Sequence, residues 1–161
     1  MHAVSAFQDS TDLVDEVATQ RLGLNRTDLR CLGIISRAGA MTAGQLAAAA
    51  GLSPGATTTA VDRLARAGYA QRVRDEHDRR RVTVQATAAA HARSDEIWGP
   101  IGRESHQRLA RRTDAQLRVI RDFLEEGRRL QTEHAERIRT APNALGEFIT
   151  PSPRAAEGDE P

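Results

Sequence analysis

Apolar residues recur at helical spacing along most of the chain and change once to a spacing of two. Residues 4–22 place Phe7, Leu13, Val14 and Val17 among acids, which predicts an amphipathic helix. Gly23 interrupts it. Asn25, preceded by Leu24 and followed by Asp28, reads as the N-cap of a second helix with Leu29, Leu32, Ile34 and Ile35, ending near Arg37–Gly39. Thr42 and Gln45 have the spacing of a capping box, with Met41 and Leu46 where a hydrophobic staple requires them. Gly51 ends that helix in a left-handed turn, and Ser53-Pro54 opens another that runs to about Ala67 and stops at Gly68. Two short helices joined at Gly51, with small Ala47 permitting close approach, predict a helix-turn-helix.

After Gly68, Tyr69, Val73, Val82 and Val84 alternate with polar partners on either side of Asp75–Arg80. This predicts a two-stranded hairpin whose loop of about six residues extends as a wing. Thr87 caps a long alanine-rich helix. Trp98-Gly99-Pro100 should kink or break it, since an internal proline removes a hydrogen bond and costs roughly 3 kcal/mol. A last helix starts at Thr113, with Leu117, Ile120, Leu124, Gly127 and Ile138 marking one side. The expected organisation is an N-terminal dimerisation helix (1–24), a DNA-binding lobe (25–86), long helices for linkage and dimerisation (87–140) and a mostly disordered acidic tail (141–161). The fold class is mainly α: a winged helix-turn-helix with a two-stranded wing and flanking N- and C-terminal dimerisation helices.

Composition sharpens this picture. Apolar residues form 39% of the chain, yet only five are aromatic. Burial stabilises by roughly 25 cal/mol per Å² of apolar surface, so a core of Ala, Val, Leu and Ile gains from being shared, and a homodimer is expected. The net charge of +1 hides an uneven distribution. Residues 53–85 hold seven arginines against four acids, whereas the first thirty residues are −2 and the last twenty-one −3. All 23 basic residues are arginine, the better side chain for bidentate phosphate and base contacts. Neither a basic-then-apolar leader nor an apolar run of eighteen is seen, so a cytoplasmic protein without membrane contact is expected. The lone Cys31 fits a reducing compartment.

A helix that enters a major groove needs short or absent side chains in its first turn, so that its backbone can approach the duplex. Ser53-Pro54-Gly55-Ala56-Thr57-Thr58-Thr59 meets that need. Ala60, Val61, Leu64 and Ala67 can face inward, leaving Gly55, Thr58, Thr59, Asp62 and Arg63 near the outer side. Arg63 is the candidate for a guanine contact or phosphate clamp. Arg72, Arg74, Arg79, Arg80 and Arg81 crowd the hairpin, which suits minor-groove or phosphate contact. Double-stranded DNA is therefore the expected partner, contacted by Ser53, Gly55, Thr58, Thr59, Arg63, Arg79, Arg80 and Arg81.

Leu24-Asn25-Arg26-Thr27-Asp28-Leu29, Met41-Thr42-Ala43-Gly44-Gln45-Leu46-Ala47, Leu52-Ser53-Pro54-Gly55, Asp62-Arg63-Leu64, Gly68-Tyr69 and Asp78-Arg79-Arg80 resemble the multiple-antibiotic-resistance regulator (MarR) family. The resemblance spans about residues 22–90. It implies a homodimer on a palindromic operator, with a wing arginine, Arg79 or Arg80 oriented by Asp78, in the minor groove. It also implies a small aromatic or phenolic effector between the DNA-binding lobe and the dimer helices. Candidate pocket residues are Phe7, Val14, Leu32, Trp98 and Ile101, with Arg30 or His91 as polar anchors. Two departures stand out: Ala88-Ala89-Ala90 follow Thr87 where relatives usually carry glycine, and Thr57 and Ala60 replace larger apolar residues.

Other functions are less well supported. Nucleophile elbow, phosphate loop and zinc motif are all missing from the sequence, so catalysis is not expected. His2, His77, His91, His106 and His134 lack paired ligand spacing, and neither metal nor cofactor is expected. Two alternatives remain at this level. One is a winged-helix protein-interaction module that does not bind DNA directly. The other is a redox-responsive regulator that uses Cys31.

Overall fold

The computed structural model describes residues 2–74 and 82–141. Within them, α1 (His2–Leu22), α2 (Arg26–Ala38), β1 (Ala40–Thr42), α3 (Ala43–Ala50), α4 (Pro54–Arg66), β2 (Ala70–Arg74), β3 (Val82–Ala86), α5 (Ala88–Leu109) and α6 (Asp114–Thr140) follow in order. The wing tip, with Asp78, Arg79, Arg80 and Arg81, lies outside the described residues, as does all but the first residue of the expected tail.

The helix boundaries follow from local chemistry. The Asn25 side chain accepts from the Asp28 N–H at 2.8 Å and starts α2. Thr42 and Gln45 close a full capping box on α3, and Gly51 ends it at φ 64°, ψ 38°, a conformation that glycine adopts without the steric cost a Cβ brings. Ser53 caps α4 by accepting from the Ala56 N–H, with Pro54 in the first turn. The Thr87 hydroxyl accepts from the Ala90 N–H and donates to the Gly68 carbonyl, fastening the start of α5 to the end of the α4 turn. Thr113 and Gln116 form the box that opens α6.

The strands form a three-stranded antiparallel sheet in the order β1-β3-β2. Sequence periodicity predicts only two; β1 is a three-residue addition in which Met41 lies opposite Val84. The register also separates the four apolar hairpin positions. Val73 faces Thr83, whereas Val82 and Val84 share the opposite face; on it Val84 is fully buried and Val82, at the start of β3, is exposed.

Contacts divide the described residues into two compact units, one up to His106 and one from Gln107. In the first, Cys31, Leu32 and Ile35 of α2, Leu46 and Ala50 of α3, Ala60, Val61 and Leu64 of α4, and Val84 of β3 make the main core. Ala18 and Leu22 of α1 join Leu29 of α2 in a smaller cluster flanked by Ile97 and Trp98. In the second, α6 has no buried side chain. Ala67, expected inside, is exposed because α4 ends at Arg66 and Ala67 belongs to its cap.

Of the kink or break expected at Gly99, the break does not occur: α5 continues through Pro100. Pro100 is exposed, so the carbonyl it leaves unpaired can turn to solvent, and the remaining hydrogen bonds carry the helix across.

Candidate nucleic-acid interface

The first turn of α4 is the outward surface that the sequence predicts. Ser53, Gly55, Thr58 and Thr59 are exposed, and Thr57, Ala60, Val61 and Leu64 are buried. A Cβ added at Gly55 would meet nothing within 4 Å, so packing does not explain a glycine there; an approaching backbone would. The Thr58 and Thr59 hydroxyls donate back to the Pro54 and Gly55 carbonyls, each at 3.0 Å. Buried Thr57 does the same to Ser53 at 2.9 Å. That bond satisfies its hydroxyl inside the lobe.

Arg63, expected near the outer side of α4, is half-buried and paired. Its Nε and Nη2 donate to Oδ2 and Oδ1 of Asp28, both at 2.7 Å. Asp28 is 2% exposed. The pairing raises the Arg63 pKa, chiefly through the hydrogen bond from its side chain to Asp28. The fork therefore ties α4 to α2 and engages two nitrogens of the side chain expected to contact a guanine or a phosphate. Asp62 is committed as well, accepting from Arg72 Nη2 at 2.7 Å and tying α4 to β2. Arg66 and Arg74 are exposed on the same elements.

An open cleft of about 730 Å³ lies between α1, α2 and α5. Of the expected pocket residues, Arg30, Leu32 and Trp98 line it; Phe7, Val14, His91 and Ile101 do not. Phe7 and Ile101 are exposed, as is His91, because they sit on helix faces turned away from the lobe core. Asp12, Asp15, Arg26, Ser36 and Arg37 line it but were not anticipated. Their signal was present, since 26, 30, 33 and 37 form one stripe at helical spacing. The Ser36 hydroxyl is buried and finds no hydrogen-bond partner among the described residues.

Cys31 is fully buried. Burial pushes its thiol up from the usual value, Asp28 pushes it the same way, and Arg30 and Arg63 oppose the rise. A sensing thiol needs solvent access and a lowered pKa, so the redox alternative loses its chemical basis. Because the native state holds this proton more tightly than the unfolded chain does, the thiol's contribution to stability should be lost as pH rises past its ordinary value of 9.0. Alkylation by iodoacetamide at pH 8 should be on the order of 100-fold slower in native protein than in guanidinium, since it waits for opening of the core. Comparable rates in the two conditions would place Cys31 at an accessible surface. Among the described residues, no group of three or more His, Cys, Asp or Glu side chains is arranged to hold a metal ion. No described helix is long and apolar enough to cross a membrane.

A family model described as MarR family matches residues 22–81. The uncharacterized HTH-type transcriptional regulator YcgE of Bacillus subtilis (strain 168) is 36% identical over 129 residues, covering 80% of this chain and 84% of that protein. The chain belongs to the MarR family. Among solved structures, a mutant MarR from E. coli complexed with operator DNA aligns at TM-score 0.52 and 21% identity, over 78% of this chain and 90% of that one. NadR in complex with 4-hydroxyphenylacetate aligns at TM-score 0.56 and 19% identity, over 78% and 91%. These two share the MarR fold with this chain. This MarR-family protein is a transcriptional regulator with a DNA-binding fold.

Proposed function

We propose that the protein is a cytoplasmic repressor that binds a palindromic operator as a homodimer and is released by a small aromatic or phenolic ligand. The observation that carries this reading is the exposed, small-residue first turn of α4, held beside the sheet by the Asp62–Arg72 pair. In this proposal α4 enters the major groove through Ser53, Gly55, Thr58 and Thr59. Arg79, Arg80 and Arg81 supply the wing contacts, with Asp78 orienting them.

Two further features support the finer parts. Phe7, Leu13 and Val17 of α1, and Val119, Phe123 and Leu130 of α6, are all more than half exposed. Six large apolar side chains left in water on two helices are what a second copy would cover. The cleft combines Trp98 and Leu29 with Arg30 and Arg37, while Arg26 pairs with Asp12 and Asp15 also lines the wall. Its apolar wall and the two other arginines can anchor an aromatic acid or phenolate. NadR carries 4-hydroxyphenylacetate, a ligand of that chemistry.

The test is selection of bound duplexes from random DNA. Two-fold symmetry predicts half-sites about 10 bp apart, centre to centre. Binding to the enriched duplex should fall roughly 10³–10⁵ between 50 and 200 mM salt if about 6–10 phosphates are contacted. Added 4-hydroxyphenylacetate should weaken it further at fixed salt. Failure to enrich any sequence, together with weak salt dependence, would favour the protein-interaction module; sedimentation as a monomer would remove the palindrome.

A further inference from the structure

We propose that Asp28 is a positioning residue for sequence recognition, setting the roll of α4 through its two-pronged bond to Arg63. The inference rests on the reading that α4 faces duplex DNA.

The support lies in how the pair is anchored. Asp28 stands in the first turn of α2, where its own N–H is held by the Asn25 side chain at 2.8 Å. The carboxylate is nearly fully buried, whereas the Arg63 side chain keeps about a third of its surface in solvent (35%). Both prongs measure 2.7 Å. A planar guanidinium gripping both carboxylate oxygens fixes orientation as well as distance, which a lysine would not.

The apolar footing of α4 holds it against the lobe through Thr57, Ala60, Val61 and Leu64, all fully buried. Such contacts are non-directional, and the fork adds a bond that fixes direction. Side chains on a helix lie roughly 5–6 Å from the axis. A roll of about 10° would therefore move Thr58 and Thr59 by about 1 Å, more than the 2.7–3.2 Å spread of a good hydrogen bond tolerates. The other tether, Asp62 to Arg72, is exposed at both ends and holds less firmly in water. The buried fork is the firmer control of the face that α4 presents. It also occupies two of the three nitrogens with which Arg63 would otherwise read a base.

The experiment compares wild type with Asp28→Asn, Arg63→Gln, the double variant and Arg63→Lys, each confirmed folded by circular dichroism. Dissociation constants are measured for the duplex that wild type enriches from a random pool and for a scrambled duplex of equal length and composition. The ratio of the two is the discrimination. Asp28→Asn and Arg63→Gln should each lower it about tenfold, a loss within the range of one mismatched base pair. The double variant should be no worse than either single one, because both remove the same fork. Affinity for scrambled DNA and its salt dependence should not move, and Arg63→Lys should fall between wild type and Arg63→Gln. A merely structural pair would lower thermal stability and leave the discrimination of the folded protein unchanged, which would overturn the proposal. So would a drop in salt dependence for Arg63→Gln alone, which would make Arg63 a phosphate contact. Multiplicative losses in the double variant would do the same. If Asp28→Asn does not fold, the two Arg63 variants alone decide the outcome through discrimination against salt dependence. If wild type enriches no duplex, the DNA reading itself fails, a result separate from equal discrimination by all variants.

Discussion

Truncating Leu64 to alanine is expected to destabilise the fold by about 2–5 kcal/mol. Leu64 is fully buried on the inner face of α4, in one cluster with Ile35, Leu46 and Val84. Its neighbours on that helix are Ala60 and Val61, too short to close over the space left behind, so the cavity should persist. A domain of this kind holds only about 5–15 kcal/mol in total, and the loss would consume a large part of it. Urea unfolding checks this: the midpoint should fall with the slope unchanged. Arg66→Ala, an exposed change on the same helix, should stay within about 0.5 kcal/mol. A Leu64→Ala cost below about 1 kcal/mol would mean that α4 is not packed as described.

Replacing Arg79 and Arg80 together with alanine should weaken binding to enriched and scrambled DNA alike, by on the order of 100-fold or more. Each such contact is worth roughly 1–3 kcal/mol when it reaches a base or groove, and each phosphate contact removed should reduce the salt slope by about one. A dimer would lose four guanidinium groups. The described strands keep their pairing to Arg74 and Val82, so these substitutions leave the sheet's own register residues in place. Binding that stays within a few-fold of wild type would assign the DNA grip to α4 and its neighbours and remove the wing from it.

The parts of the fold legible in the sequence are those decided within four residues of themselves. Asn25, Thr42, Ser53, Thr87 and Thr113 each start a helix through a hydroxyl or amide that accepts from an N–H three positions on. Such bonds need no tertiary partner. β1 was not legible for the opposite reason: Ala40-Met41-Thr42 has no alternation of its own and is a strand only because β3 lies beside it. The break allowed for at Pro100 did not follow, because propensity prices a proline without regard to whether the orphaned carbonyl reaches water.

The site divides along the same line. Gly55, Thr58 and Thr59 could be placed outward from helical spacing alone, and Arg30, Leu32 and Trp98, expected at a pocket from the family resemblance, line one cleft. The Asp28–Arg63 fork joins residues 35 positions apart. No local pattern marks it, and spacing had assigned Arg63 to the outer side. Phe7 and Ile101 were given to a pocket because they are apolar; the structure leaves both on open helix faces.

The 27 residues of α6 make a rod about 40 Å long, and none of them is buried. If a second copy does cover it, mass action enters the folding equilibrium itself. The melting temperature would then climb with protein concentration, and a cell holding few copies would hold a less robust regulator than one holding many.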